Sequence, residues 1–139
     1  MKIGFRYGVV LLLLLVVNLS GQVIFYVDSS RIDDTGDGTS WATAKKYIQS
    51  VLALETDVDQ IWVAKGTYYP DDGDGQVDNE RSSVFGRDSD VKVFGGYPSG
   101  GGDRDWVSNL TILSGDIDQN DAEGNTDGNA FTVVTTTGN

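Results

Sequence analysis

Four side chains that carry oxygen ligands lie close together near the C-terminal end of the sequence, at the spacing of a calcium-binding loop. They are Asp116, Asp118, Asn120 and Asp121. Oxygen ligands at the first, third and fifth positions resemble the opening of such a loop, because calcium takes about six to eight oxygens on a flexible segment. Asp121 stands at the sixth position, where glycine is expected, and no glutamate follows at the twelfth. The four residues are therefore either a calcium site or an exposed Asp/Asn turn.

A second acidic stretch precedes them and consists of Asp71, Asp72, Asp74 and Asp78. It has the charge that a cation needs, but Val77 occupies the position where a calcium loop counted from Asp72 would place glycine. Carboxylates this close together are tolerated in water without a partner. A solvated acidic loop is the simpler interpretation of this stretch.

Aromatic residues are the other candidates for ligand binding, because a ring face fits the apolar C–H face of a sugar. Trp62 lies in the middle of a predicted strand and Trp41 at the start of a predicted helix, so both are expected to pack within the fold. Trp106 follows the Gly- and Asp-rich segment 100–105 and is expected to be exposed. It is the candidate sugar contact, although loop aromatics also fold back over the edge of a core.

The composition excludes several kinds of chemistry. The chain has no Cys and no His, so disulfides, thiolate zinc sites and Ser-His-Asp triads are absent. A bound metal would need oxygen ligands, which favours calcium over zinc, and no other cofactor is indicated. The formal net charge is −11, and so acidic a surface repels nucleic acid. No catalytic residue is predicted, since the sequence does not fix the separation of any carboxylate pair.

Residues 1–22 have the organisation of a secretory signal peptide. Lys2 and Arg6 precede the apolar run Val9–Val17, and the small and polar segment 18–22 follows it. Removing this segment changes the net charge from −11 to −13, because it carries two cations and no anion. The prediction is a secreted or cell-surface protein with no membrane span after cleavage. The alternative, a membrane anchor over residues 8–27, is interrupted by polar residues.

Residues 23–139 are predicted to form one incomplete domain that is mainly β-structure. Val23–Val27 reads as a strand, and Ser40 is a candidate N-cap for one helix from Trp41 to about Leu54. Further strand-like segments begin near Ile61, Val91, Thr111 and Phe131, at intervals of 30, 20 and 20 residues.

Such periods indicate the coils of a solenoid, capped by the helix, with residues 70–81 looping out of one coil. The apolar residues on both faces of segment 61–64 indicate a strand that is covered on both sides. The alternative is an antiparallel β-sandwich with long loops.

Five motifs in this order resemble the start of secreted bacterial right-handed parallel β-helix proteins of the pectate-lyase-like superfamily. They lie at Gly38–Ala44, Ile61–Pro70, Val93–Tyr97, Arg104–Trp106 and Thr111–Asp118. The resemblance implies that residues 23–139 are the N-terminal cap and first coils. It also implies further coils after Asn139, often a C-terminal secretion or anchoring domain, and active residues on central coils.

Two functions follow from these observations. The first is a non-catalytic adhesion or carbohydrate-binding scaffold, whose partner is a polysaccharide or a cell-surface glycan. The second is the N-terminal part of a polysaccharide lyase or glycoside hydrolase whose active groove lies downstream. The lack of His and of a converging acid/base pair favours the first for this segment.

Overall fold

A computed structural model describes residues 21–54, 56–87 and 90–136. The predicted signal peptide, apart from its last two residues, lies outside these ranges. The described chain is mostly β-structure, with strands β1 (Ile24–Val27), β2 (Gln60–Ala64), β3 (Gly66–Tyr68), β4 (Lys92–Tyr97) and β5 (Thr111–Leu113). Its helices are α1 (Ile48–Leu52) and two 3-10 turns, Trp41–Thr43 and Asp121–Glu123. None of the described helices has the length and apolarity to cross a membrane.

Every strand pair in the described residues is parallel. One sheet has the order β1-β2-β4, and the other consists of β3 and β5. A third, minimal ladder is the parallel bridge between Phe85 and Val134. The linear strand order leaves both sheets open, and the antiparallel sandwich is not the architecture of this part of the chain.

The core lies between the two sheets and α1. Val27, Ile61 and Val63 point inward from β1 and β2 and are fully buried, because successive residues of a strand alternate between its two faces. Ile48 and Val51 of α1 pack into the same cluster, together with Tyr68 and Phe85. The burial predicted for both faces of segment 61–64 is found at Ile61, Val63 and Ala64, which are fully buried, whereas Trp62 is half-buried.

The prediction of one helix from Trp41 to Leu54 is wrong. Ser40 does act as an N-cap, since its Oγ accepts a hydrogen bond from Thr43 N at 3.3 Å, but this cap opens a 3-10 turn of only three residues. Lys45 then leaves the helical path and bridges β1: its N–H donates to Tyr26 O at 2.9 Å, and its carbonyl accepts from Asp28 N at 2.8 Å. These bonds cover the outer edge of β1, and this tertiary pairing outweighs the local helical pattern.

The predicted 20-residue repeat is also wrong. Gly66 has φ of 148° and redirects the chain after β2, so that the run Ile61–Pro70 contains two strands, one in each sheet. The strand at Thr111 therefore pairs with Gly66, 45 positions earlier, and not with β4. Strands that do stack on each other are farther apart: Ile24 pairs with Gln60, a separation of 36, and Gln60 pairs with Lys92, a separation of 32. The strand predicted from Phe131 is reduced to the single bridge at Val134.

Candidate functional site

An aromatic cluster covers the outer face of the three-stranded sheet. It consists of Tyr26, Trp41, Trp62 and Tyr97. Trp62 stacks on Tyr97 with ring centroids 4.9 Å apart and an interplanar angle of 10°, and Trp41 meets the edge of Tyr26 at 4.9 Å. Trp41 and Trp62 therefore pack within the fold as predicted, but on the outer face of the sheet, where each contacts both Tyr26 and Tyr97. Mutual stacking uses their ring faces, so the cluster stabilises the fold and offers little free surface to a ligand.

The loop 98–106 closes over this cluster. Gly101, at φ of 93°, lies so close to the indole of Trp41 that a Cβ there would be 2.3 Å from Trp41 Cδ1. Only glycine fits this combination of backbone conformation and contact. The loop is anchored by the buried carboxylate of Asp28, whose Oδ2 accepts from Ser99 Oγ and Gly100 N, both at 2.8 Å.

Asp28 is 1% exposed, and both oxygens of its carboxylate accept hydrogen bonds from the neighbouring turns. Its Oδ1 accepts from Ser30 N at 3.0 Å and from Ser30 Oγ at 2.7 Å. Burial alone would raise the pKa of Asp28, but the hydrogen bonds from Ser30, Gly100 and Ser99 together outweigh it and hold the pKa below its ordinary value. Asp28 is thus an ionised structural anchor between β1 and the loop that follows β4.

The end of this loop and the residue after it form an exposed surface, which we call the Trp106 surface and define as Arg104, Trp106 and Val107. Trp106 is 66% exposed, as its position in a Gly/Asp-rich loop predicts. The guanidinium of Arg104 lies 5.5 Å from the ring centroids of both Trp106 and Phe94, and its Nε donates to Gly95 O at 2.6 Å. The sequence alone gave no reason to choose Arg104 from the other surface cations.

The backbone beneath the Trp106 surface is fixed although its side chains are exposed. Asp105 N donates to Gly96 O at 2.7 Å, and the Asp105 carboxylate accepts from Ser108 Oγ at 2.7 Å and Val107 N at 2.9 Å. The hydrogen bonds to this carboxylate lower the pKa of Asp105, and the bond from the Ser108 hydroxyl has the largest effect. The arrangement presents an indole and a guanidinium on a rigid turn, which can bind the apolar face and the hydroxyl edge of a sugar ring.

The four residues predicted to bind calcium lie in one loop, and hydrogen bonds already occupy part of their oxygens. Asp116 Oδ1 accepts from Asn120 N at 2.9 Å and from Asp121 N at 3.3 Å. Asp118 Oδ2 accepts from Asn120 Nδ2 at 2.7 Å. Asn129, which the sequence did not single out, joins them by donating from Nδ2 to Asp121 Oδ1 at 3.1 Å. Asp116 therefore stabilises this loop through the backbone N–H groups of Asn120 and Asp121.

Three oxygens of this loop are buried without a hydrogen-bond donor: Asp118 Oδ1, Asn120 Oδ1 and Asn129 Oδ1. Their chemistry fits a hard cation, which takes carboxylate and amide oxygens as ligands. In residues 21–54, 56–87 and 90–136, however, no three acidic side chains are placed to hold a metal ion together. Calcium at Asp116, Asp118, Asn120 and Asp121 stays a prediction, and Asn129 is bonded to this loop through Asp121.

The acidic stretch at residues 71–78 is only partly solvated. Asp74 and Asp78 are exposed, as the sequence indicates, but Asp71 is buried. The side chain of Gln49 holds the two ends of this loop together, because its Nε2 donates to Pro70 O and to Val84 O. Burial first, and then the charges of Asp71 and Asp78, raise the pKa of Asp72. Sequence reasoning missed the burial of Asp71, which depends on how the loop packs against α1.

Neither the known family models, nor the curated proteins, nor the solved structures include a match to this chain.

Proposed function

We propose that residues 23–139 are the capped start of a right-handed parallel β-helix in a secreted or cell-surface protein. Support comes from the three parallel ladders, β1-β2-β4, β3-β5 and Phe85–Val134, and from the chain turning from one sheet into the next at Gly66. Parallel strands joined by long connections need right-handed crossovers in nearly all proteins. Residues 38–45 cover the β1 edge, as a terminal cap must.

The opposite end of the fold supports further coils. Phe25, Ile61 and Val93 occupy the same inward position in successive strands, but Ile61 is fully buried whereas Val93 is 46% exposed. Beside Val93 lies an apolar groove of about 250 Å³, whose lining includes Leu52, Leu113 and Val134. In this proposal the groove receives a following coil of the same chain, whose strands pair with the free edges of β4 and β5.

We infer that the protein is a non-catalytic scaffold that binds polysaccharide or cell-surface glycan at the Trp106 surface. One observation carries this inference: Trp106 is a largely exposed indole held on a fixed turn, with the guanidinium of Arg104 beside it. Preorganised aromatic rings bind sugars at low entropic cost. In the described residues, Asp33, Asp37 and Asp105 have lowered pKa values because each accepts hydrogen bonds from nearby residues of the chain, and Asp28 because it also accepts from Ser99 and Gly100 of a distant loop. These are structural uses of the carboxylates.

Affinity electrophoresis of the full-length protein through neutral and acidic polysaccharides tests this function. We expect retardation by at least one polysaccharide, and a loss of at least tenfold in apparent affinity in Trp106→Ala. Phe131→Ala is the control, because Phe131 is an equally exposed aromatic residue outside the Trp106 surface. Equal retardation of Trp106→Ala and the wild type contradicts the assignment. New reducing or unsaturated ends in the polysaccharide favour the alternative, a lyase or glycoside hydrolase with a downstream groove.

A further inference from the structure

We propose that the loop 71–79 binds a calcium ion, with the buried carboxylate of Asp71 as a fixed ligand and the carboxylates of Asp72 and Asp78 drawn in from the loop. This site is separate from the one predicted at Asp116–Asp121.

The carboxylate of Asp71 is the main evidence. It is 5% exposed, and its two oxygens have different surroundings. Oδ2 accepts a hydrogen bond from Asn79 N at 2.9 Å. This bond joins the first residue of the loop 71–79 to its last residue. Oδ1 is buried without any hydrogen-bond partner. A buried carboxylate needs a cation or a full set of donors, because transfer of the bare charge out of water is costly.

The negative charges near Asp71 also favour a cation at this loop. Asp72 is half-buried, and the negative charges of Asp71 and Asp78 both disfavour its ionised form. The charge of Lys46 offsets this effect in part, but the repulsion that Asp71 and Asp78 exert on Asp72 is larger. A divalent cation among them replaces this repulsion by attraction.

Counted from its glycine, the middle of the loop follows the order of a calcium loop, whereas Arg81 stands at the twelfth position, where such a loop has a bidentate glutamate. If Gly75 takes the sixth position, Asp72 falls at the third, Asp74 at the fifth and Asp78 at the ninth, all of which are ligand positions. Gly75 has φ of 80°, the left-handed conformation that the sharp turn at the sixth position requires. Pro70 falls at the first position and has no side-chain oxygen, so the adjacent Asp71 supplies that carboxylate.

The wall behind the loop offers another oxygen. Ser50 Oγ is buried without a partner, and a Cβ built on Gly73 would be 3.3 Å from it. No three carboxylates in the described ranges are already placed around a common ion, so calcium must close the loop as it binds. A site of this kind belongs with the extracellular modules that bind calcium at about 10⁻⁴ to 10⁻³ M.

Calorimetric titration with calcium and thermal unfolding of the full chain, with and without about 5 mM calcium, test the proposal. We expect calcium to raise the melting temperature of the wild type by several degrees. Asp78→Asn and Asp71→Asn should each remove at least half of that rise. Asp78 is exposed, so its variant folds even if Asp71→Asn does not. Asp103→Asn is the control, because Asp103 is an exposed aspartate in a different loop.

Three outcomes overturn the proposal. The first is that calcium does not change the wild-type melting temperature and releases no binding heat. The second is that the full rise persists in Asp78→Asn, together with Asp71→Asn where it folds. The third is that Asp118→Asn alone removes the rise, which would place the ion in the other loop. A rise that survives in Asp103→Asn and is reduced in Asp78→Asn supports the site at residues 71–79.

Discussion

Asp28 and Asp71 are buried carboxylates of nearly equal exposure, 1% and 5%, with opposite hydrogen bonding. Asp28 accepts four hydrogen bonds, from Ser30, Ser99 and Gly100, whereas Asp71 accepts one, from Asn79. The folded chain thus supplies every partner of the first carboxylate and leaves one oxygen of the second unpaired. Burial by itself does not distinguish a structural carboxylate from a ligand-binding one. The number of donors that the protein provides does.

The largest expected effect comes from removing the fully bonded carboxylate. Asp28→Ala removes the acceptor of the N–H groups of Ser30 and Gly100 and releases the loop over the aromatic cluster. We expect a loss of about 3 kcal/mol in the free energy of unfolding, since hydrogen bonds to a charged group are worth about 1.5 to 3 kcal/mol. Asp71→Ala removes one bond and should cost about 1 kcal/mol without calcium. Urea unfolding measures both.

The control for this comparison is Asp103→Ala, an exposed substitution expected to stay within about 0.5 kcal/mol of the wild type. Equal losses in Asp28→Ala and Asp71→Ala would contradict the distinction between the two carboxylates.

The pH dependence sharpens the same comparison. The folded-state pKa of Asp28 is below the ordinary value of 3.8, so its stabilising contribution is present above pH 3.8 and disappears as the pH falls through the folded-state pKa. The stability difference between the wild type and Asp28→Asn should therefore be largest near pH 6 and shrink toward pH 2. Melting temperatures over this range measure it.

Other carboxylates titrate over the same acidic range, including Asp37, whose pKa is lowered to about 2 by hydrogen bonds from Thr43 and Thr39. They are common to both proteins, so the difference between the two curves isolates Asp28. If the stability difference stays constant from pH 6 to pH 2, the four hydrogen bonds do not stabilise the charged form of Asp28.

The sequence predicted where strands lie and that they run parallel, but not that they divide between two sheets. The β-branched and aromatic run at Ile61 marks β2, and the segments near Val91 and Thr111 mark β4 and β5. Pairing depends on Gly66, which divides the run Ile61–Pro70 between two sheets. The glycine marks a turn in the sequence, but not that the chain enters a second sheet there. The helix from Trp41 failed for a similar reason: Lys45 is taken into backbone pairing with β1 by contacts that are distant in sequence.

For the candidate sites too, local features could be predicted from the sequence and contacts between distant residues could not. The exposure of Trp106 could be predicted from its Gly/Asp-rich loop, because turn residues lie on the surface. The role of Asn129 could not, since it reaches the Asp116 loop only through the fold. The burial of Asp71 could not be predicted, because a run of aspartates indicates a solvated loop. Packing of the loop against α1 buries one of them.

The smallest expected effect concerns two neutral hydroxyl groups, one with hydrogen-bond partners and one without. Tyr68 Oη donates to Ala64 O at 3.0 Å and accepts from Ser29 N at 3.2 Å, whereas the buried Ser50 Oγ has no partner. Tyr68→Phe should lower the free energy of unfolding by about 1 kcal/mol, because it removes the acceptor of the Ser29 N–H and one of the two side-chain donors to Ala64 O. Ser50→Ala should change it by less than about 0.5 kcal/mol in the absence of calcium, because it breaks no bond. Urea midpoints at unchanged slope measure both, and a larger loss in Ser50→Ala than in Tyr68→Phe would mean that the Ser50 hydroxyl is bonded in the calcium-free protein.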